Sequence, residues 1–289
     1  MVVAISPDAS IGSVRLTVAD ADRERDFCER VLGLRPIDGA KEPGLVSLGA
    51  DGTPLVELAT EPEAPPRPPG TTGLFHLAVL FGDRPELAAA LRRIAAARWP
   101  LQGASDHSVS EALYIDDPEG NGIELYRDRP REQWSQTEDG VEMATLPLDV
   151  QALAAEAPAS GAEPSAAPPG TRVGHVHLNV GDLDAAEEFY VGVLGFEVMT
   201  RSYPGALFVS AGGYHHHIGL NMWAGRGASP PPPGCRGLRW FEIVVPDDEE
   251  LARASGSLAE AGAATETPDG GVLTADPSGN GILLRAGSG

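Results

Sequence analysis

The histidines of this chain carry most of the chemistry that its sequence offers. There are seven among 289 residues, and an imidazole can bind a metal ion or exchange a proton near neutral pH. They occupy positions His76, His107, His175, His177, His215, His216 and His217. Because all of them lie in the middle of the chain, the segments that position them have to be identified before a site can be predicted.

Four similar segments make up most of the chain. The segment VRLTVADADRERDFCERVLGLRP near residue 14 is repeated as VHLNVGDLDAAEEFYVGVLGFEV near residue 176. The segment GLFHLAVLFGDRPELAAALRRIAA near residue 73 is repeated as GLRWFEIVVPDDEELARASGSLAE near residue 237. Each one begins with alternating apolar residues, as a strand does, and continues through a short turn into an amphipathic helix. The chain is therefore predicted to consist of two halves, each with two such modules.

The boundaries follow from these repeats and from the composition between them. We number the modules one to four, at 10–60, 73–130, 172–225 and 237–286. Proline-rich joints at 61–73 and 227–237 separate the modules within each half. A stretch rich in Ala, Pro and Ser joins the halves, with a short helix expected at its start and a loose chain after Ala157. The predicted organisation is an N-terminal domain, a linker and a C-terminal domain, at 1–150, 151–171 and 172–289.

This pattern resembles the vicinal oxygen chelate superfamily, which includes glyoxalase I, extradiol ring-cleaving dioxygenases and bleomycin-resistance proteins. The resemblance covers nearly the whole chain. It implies an α+β fold in which each module is a βαβββ unit with a curved four-stranded sheet, and in which paired modules enclose a cleft. Sites in this superfamily take one metal ligand from the first strand of a module and another from the last strand.

The four modules differ at these ligand positions. The first-strand position holds Ser13, His76, His175 and Trp240 in modules one to four, and the last-strand position holds Glu124 in module two and Leu283 in module four. The resemblance therefore implies a single metal site formed by His76, His175 and Glu124. Such a set suits a non-haem Fe(II) that binds substrate and O2 together, with Mn(II) as a possible alternative. The three ligands converge only if module two pairs with module three, which leaves modules one and four to form a second, metal-free cleft.

A longer motif in module two matches the pattern of the extradiol dioxygenases. It reads His107, SVSEA, Leu113, Tyr114, IDDPEGNGI and Glu124, and every spacing of the pattern is satisfied. The turn DPEGNG alone is a general hairpin signal and does not indicate a function. Module four has the similar turn DPSGNG but lacks the glutamate. The resemblance implies that His107 and Tyr114 bond to the substrate oxygens or to bound O2, and that Glu124 binds the metal.

The run YHHHIGLNMW in module three supplies three consecutive histidines. Adjacent residues of a strand point to opposite faces, so at most two of them can face one cleft. Extradiol dioxygenases carry an acid–base histidine on this strand, and the resemblance assigns that role to His216, with His217 as the fallback. We expect His215 and His217 to face the other way. His177, on the same strand face as His175, is a rival ligand.

Composition argues against several other classes of protein. The chain has 42 acidic and 21 basic residues and a net charge of −21, which argues against binding to nucleic acid or to an anionic membrane surface. No apolar run approaches the roughly 20 residues of a membrane span, and the N-terminus lacks the features of a signal peptide. Two distant cysteines, Cys28 and Cys235, form neither a disulfide framework nor a Cys-based zinc site. We expect a cytoplasmic protein.

The resemblance implies a catechol 2,3-dioxygenase-like enzyme that uses O2 to open an aromatic diol outside its two hydroxyls. Two alternatives remain open. A glyoxalase-type isomerase or thiol transferase would need a fourth protein ligand, where module three offers only Ile218, Gly219 and Leu220. A metal-free protein that binds an aromatic drug would lack the two histidines and the glutamate. The sequence leaves open which catechol is used and whether the protein is a homodimer.

Overall fold

The computed structural model describes residues 3–38, 42–137, 140–157 and 166–287. Module one contains β1 (Ser10–Val18), α1 (Ala21–Phe27), β2 (Arg35–Pro36), β3 (Leu45–Ala50) and β4 (Thr53–Thr60). Module two contains β5 (Gly73–Phe81), α2 (Arg84–Ala96), β6 (Gly103–Asp106), β7 (Ser110–Asp116) and β8 (Gly122–Asp128). Short elements follow, namely β9 (Gln136–Thr137), β10 (Gly140–Val141), β11 (Leu146–Pro147) and α3 (Val150–Ala155).

The second half repeats the same order of elements. Module three contains β12 (Arg172–Asn179), α4 (Leu183–Glu187), β13 (Glu197–Thr200), β14 (Ala206–Ser210) and β15 (Ile218–Asn221). Module four contains β16 (Gly237–Val245), α5 (Asp248–Glu260), β17 (Val272–Ala275) and β18 (Gly281–Ala286). The first three modules are complete βαβββ units, as predicted. In module four, the strand expected before β17 is reduced to an isolated bridge between Glu266 and Leu273.

Local signals in the sequence explain where the helices begin and end. The side chains of Asp83 and Asp247 accept hydrogen bonds from the backbone of the first turn in α2 and α5, which satisfies donors that the helix cannot pair. Both α1 and α4 continue into a π-helical turn. These turns are followed by Gly33 and Gly195, whose φ angles of 79° and 86° favour glycine.

Two sheets organise the chain, and each sheet combines modules from both halves. The strand order is β17-β18-β16-β1-β4-β3-β2 in the first sheet and β11-β6-β7-β8-β5-β12-β15-β14-β13 in the second. The first strands of modules one and four pair antiparallel, and so do those of modules two and three. The prediction that module two pairs with module three is therefore confirmed.

One hydrophobic core cluster takes residues from all four modules. Val14, Leu77, Leu178 and Phe241 are all buried members of it. The short helix predicted at the start of the linker is present as α3, whereas the loose chain expected after Ala157 concerns residues 158–165, which lie outside the described residues. Within the described ranges, no helix is long and apolar enough to cross a membrane.

Candidate metal centre and active site

The register of three neighbouring strands brings together the residues predicted to bind a metal. Ala78 on β5 pairs with Glu124 on the parallel strand β8 and with His175 on the antiparallel strand β12. His76 lies two residues before Ala78 on the same face of β5. The possible ligand atoms of His76, Glu124 and His175 lie within 4.8 Å of one another, and all three side chains are buried.

The distances within this triad fit a metal ion with neighbouring ligands at right angles. Oε2 of Glu124 lies 3.0 Å from Nε2 of His76 and 3.1 Å from Nε2 of His175. Two ligands at right angles, each about 2.0–2.2 Å from a metal, are separated by about 3 Å. In the described part of the chain no further His, Cys, Asp or Glu joins this group. The triad therefore leaves room for other ligands on the metal.

Electrostatics and hydrogen bonding in the triad also fit a cation. Burial raises the pKa of Glu124, but the adjacent His175 and His76 outweigh it, and the pKa falls well below its ordinary value. Burial lowers the pKa of His175 to about 4, despite the favourable charge of Glu124. The contact of Nε2 of His76 with Glu124 lacks hydrogen-bond geometry, and this buried atom has no hydrogen-bond partner among the described residues. A metal ion would satisfy an atom that is otherwise costly to bury.

The equivalent region of the other sheet is filled by ion pairs and an aromatic ring. Arg15 donates to Glu57 over 2.8 Å, and its guanidinium lies 4.7 Å from the centroid of Trp240. Ser13 donates its backbone N–H to Glu242 over 3.1 Å. Modules two and three carry the three proposed metal ligands at these positions. Modules one and four carry groups that bind one another instead.

A mostly apolar cavity of about 270 Å³ opens beside the triad. Its walls come from modules two and three and from the segment that follows module two. No Lys or Arg is among the residues that line it, which are Phe75, His76, Ser105, His107, Val109, Ser110, Tyr114, Glu124, Met143, Thr145, His177, Tyr203, Phe208, His216 and Trp223. The cavity thus brings His76, His107 and Glu124 together with Tyr114 and His216, whereas His175 is not among its lining residues.

The motif residues His107 and Tyr114 form a hydrogen-bonded pair on the cavity wall. Nδ1 of His107 lies 2.6 Å from the carbonyl oxygen of Ala144, and Nε2 lies 2.7 Å from the hydroxyl of Tyr114. A carbonyl can only accept, so Nδ1 of His107 carries a proton, and Nε2 faces the hydroxyl of the tyrosine. Burial, with the nearby charge of Glu124, raises the pKa of Tyr114 well above its ordinary value.

The three consecutive histidines precede β15 rather than lying on it. Gly212 and Gly213, with φ angles of 60° and 66°, turn the chain after β14, and β15 begins only at Ile218. Because these residues do not lie on a strand, the predicted alternation of their side chains between two faces does not apply to them. His216 nevertheless lines the cavity. Its ring centroid lies 4.1 Å from that of His175, and burial lowers the pKa of His216 well below its ordinary value.

Neither neighbour of His216 lines the cavity. His217 lies against β14, where its Nδ1 accepts from the backbone N–H of Ala211 over 3.2 Å. Burial lowers the pKa of His217 to about 3. His215 is fully buried between His216 and Asp128. The expected lack of a role for His215 therefore has to be reconsidered.

His177 lies on the cavity wall but does not belong to the group of converging ligand atoms. Its ring centroid is 5.0 Å from that of His76, and its Nε2 has no hydrogen-bond partner among the described residues. A Cβ atom at Gly219 would approach the ring of His177 to 2.9 Å. Glycine at this position therefore provides the space that the imidazole occupies.

The sequence did not indicate the aromatic rim of the cavity. Phe75 and Trp223 are 41% and 50% exposed, and their ring centroids lie 5.2 Å apart. Phe208 and Tyr203 continue the wall, with ring centroids 5.5 Å apart. The exposure of these large aromatic side chains becomes evident only in the structure.

The fold and the site agree with the class of protein that the chain belongs to. It is a member of the Glyoxalase/Bleomycin resistance protein/Dioxygenase superfamily, whose sequence pattern matches residues 10–125 and 172–284. The chain is 41% identical over 278 residues to the catechol-2,3-dioxygenase of Bacillus subtilis (strain 168). That alignment covers 94% of this chain and 95% of the relative.

Solved structures show the same fold at lower sequence identity. Glyoxalase I from Zea mays is 16% identical, with a TM-score of 0.58, and the match covers 96% of this chain and 92% of that one. The cppA protein from Streptococcus pneumoniae TIGR4 is 12% identical, with a TM-score of 0.57, over 96% and 99% of the two chains. At these identities the similarity concerns the α+β fold alone.

Proposed function

We propose that this chain is an extradiol dioxygenase that opens the ring of a catechol with O2 at a mononuclear non-haem Fe(II). The observation that carries the proposal is the convergence of two histidines and one glutamate, within 4.8 Å, beside a mostly apolar cavity. Membership of the superfamily and the 41% identity to a catechol-2,3-dioxygenase support it.

His76, His175 and Glu124 would hold the metal, with Mn(II) as a possible substitute for Fe(II). When bound, the metal supplies adjacent positions for the two catechol oxygens and for O2, and a route for electrons between them. Glu124 contributes one negative charge to the proposed metal position, and its side chain is buried. Burial also keeps water away from the reacting groups.

His216 is the group that we assign to proton transfer. Its lowered pKa keeps the ring neutral near pH 7, so that it can accept a proton from a catechol hydroxyl and return it later. His107 and Tyr114 lie on another wall of the same cavity. The hydrogen bond with Nε2 of His107 fixes the hydroxyl of Tyr114, which would then orient a substrate hydroxyl or O2.

The lining of the cavity favours an uncharged substrate with apolar ring substituents. No Lys or Arg is among the lining residues to pair with a carboxylate on the substrate. Phe75, Trp223 and Phe208 provide apolar aromatic surface instead, which stabilises an aromatic or alkyl group by burial. A carboxylated catechol would lose its hydration there without gaining a cation.

The proposal is tested with protein purified without oxygen and loaded with Fe(II), Mn(II) or redox-inactive Zn(II). We expect one metal ion per chain, consumption of one O2 per catechol with Fe(II), and no turnover with Zn(II). The ring-opened product should absorb in the visible region. We expect 4-methylcatechol to be used better than a catechol that carries a carboxylate. Turnover without metal, turnover without O2 uptake, or cleavage between the hydroxyls would contradict the proposal.

Tyr114→Phe should lower turnover while leaving the metal in place. The substitution removes one hydroxyl from the cavity wall and leaves all three proposed ligands intact, so we expect kcat to fall by about 10–100-fold and bound iron to stay at one per chain. Steady-state kinetics with metal analysis on the same sample checks this. Loss of iron in this variant would mean that Tyr114 supports Glu124 instead of the substrate.

A further inference from the structure

A hydrogen-bonded chain of three residues ends at the proposed proton-transfer group. Asp128, the last residue of β8, lies 2.8 Å from Nε2 of His215 through its Oδ1. The hydroxyl of Tyr214 also donates to this carboxylate, at 3.0 and 3.2 Å from its two oxygens. The hydroxyl of Tyr126 lies 2.8 Å from that of Tyr214. The carboxylate is thus held in place from two directions.

His215 is in turn hydrogen-bonded to His216. The Nδ1 atoms of the two rings lie 2.8 Å apart, and both side chains are buried. Two ring nitrogens at this distance share one proton, whereas a ring C–H in either position would collide. Because Nδ1 of His216 is engaged by His215, Nε2 is the nitrogen that remains for the cavity that His216 lines.

The carboxylate of Asp128 determines the tautomers of the two rings when each ring carries one proton. An ionised carboxylate only accepts hydrogen bonds, so Nε2 of His215 carries a proton toward Asp128. When His215 carries only this proton, its Nδ1 is an acceptor, and the shared proton belongs to Nδ1 of His216. Nε2 of His216 consequently carries a lone pair, which is the form that can take a proton from a hydroxyl.

We propose that Asp128 and His215 are positioning residues, which fix the orientation and tautomer of His216 so that its Nε2 accepts a proton in the cavity. The inference rests on the proposed function, which assigns proton transfer to His216. The repeat supports a specific role, because module four aligns Gly287 with Asp128 and module one has no histidine. The carboxylate is therefore not required by the module fold and occurs beside the metal triad.

The first test needs no substitution. In metal-free protein with 15N-labelled histidine, the nitrogen shifts of His216, assigned with His216→Phe, distinguish the two tautomers. We expect the proton on Nδ1 and a lone pair on Nε2 in the native chain. In Asp128→Asn and His215→Gln we expect a mixture of tautomers or the proton on Nε2. A native His216 that carries its proton on Nε2 would overturn the inference.

The second test is kinetic, on the Fe(II)-loaded protein with catechol. We expect Asp128→Asn and His215→Gln to keep one iron per chain and a KM near that of the native enzyme. Their kcat should fall by at least about 10-fold, because misorientation of a proton-transfer group affects the reaction more than binding. His217→Gln is the matched control, since His217 is partly buried nearby but lies outside the cavity, and we expect native kinetics.

A double substitution separates this inference from the proposed function. If Asp128 acts through His216, then adding Asp128→Asn to His216→Phe should change kcat by less than about 2-fold. A further large loss would overturn the positioning role. Native kcat in both single variants, beside a slow His216→Phe, would overturn it too, while leaving the role of His216 intact. Native kcat in His216→Phe would instead refute the assignment on which the inference rests.

Discussion

The Glu124→Ala variant should contain no bound iron after anaerobic loading and should not turn over catechol. Glu124 is the only carboxylate of the triad, and its Oε2 lies 3.0 and 3.1 Å from the two histidine nitrogens. Changes to residues that merely support metal ligands cost about 10–100-fold in affinity or activity, so the loss of a ligand should cost more. Metal analysis and O2 uptake on the same preparation measure both effects.

This effect should not arise from unfolding. Removal of Glu124 leaves a small space beside the two imidazoles, and it also removes a buried carboxylate, so the thermal unfolding midpoint of the metal-free protein should change little. Glu242→Ala is the matched control, because Glu242 is a partly buried strand carboxylate in the sheet formed by modules one and four. That control should bind iron normally. An active, iron-replete Glu124→Ala variant would remove Glu124 from the site.

The His216→Phe variant should retain its iron and bind catechol, yet turn over at least about 100-fold more slowly. His216 is absent from the group of converging ligand atoms but lines the same cavity, 4.1 Å from His175 between ring centroids. A phenyl ring preserves this packing and removes both nitrogens. We therefore expect native metal content and native binding of catechol under anaerobic conditions. Only kcat should be strongly reduced.

The control for this variant has to be chosen from the structure. Alternation along a strand would have made His215→Phe the silent neighbour, but His215 is hydrogen-bonded to His216. His217→Phe is the better control, because His217 contacts β14 and does not reach the cavity. If His217→Phe were slow and His216→Phe normal, proton transfer would belong to His217.

The sequence could predict the arrangement of the modules because the repeats align residue by residue. The alignment placed histidine at positions 76 and 175, and Trp240 and Leu283 at the equivalent positions of module four. That difference required modules two and three to meet, and the pairing of β5 with β12 agrees. Strand register depends on short repeated patterns, which a single sequence displays directly.

The parts of the site that the sequence could not predict lie outside the repeats. Met143 and Thr145, which line one side of the cavity, belong to the segment between modules two and three. The turn at Gly212 and Gly213 shifted the start of β15, and with it the environment of His215. Such features depend on the packing of loops between modules, which no local periodicity encodes.

We propose that the paired modules two and three hold one metal ion between His76, His175 and Glu124. The most direct measurement is anomalous X-ray diffraction at the iron edge from crystals grown without oxygen with Fe(II). We expect one peak per chain, about 2.0–2.2 Å from each of the three side chains. A peak at any other position, or no peak in crystals of an enzyme that is active with Fe(II), would contradict it.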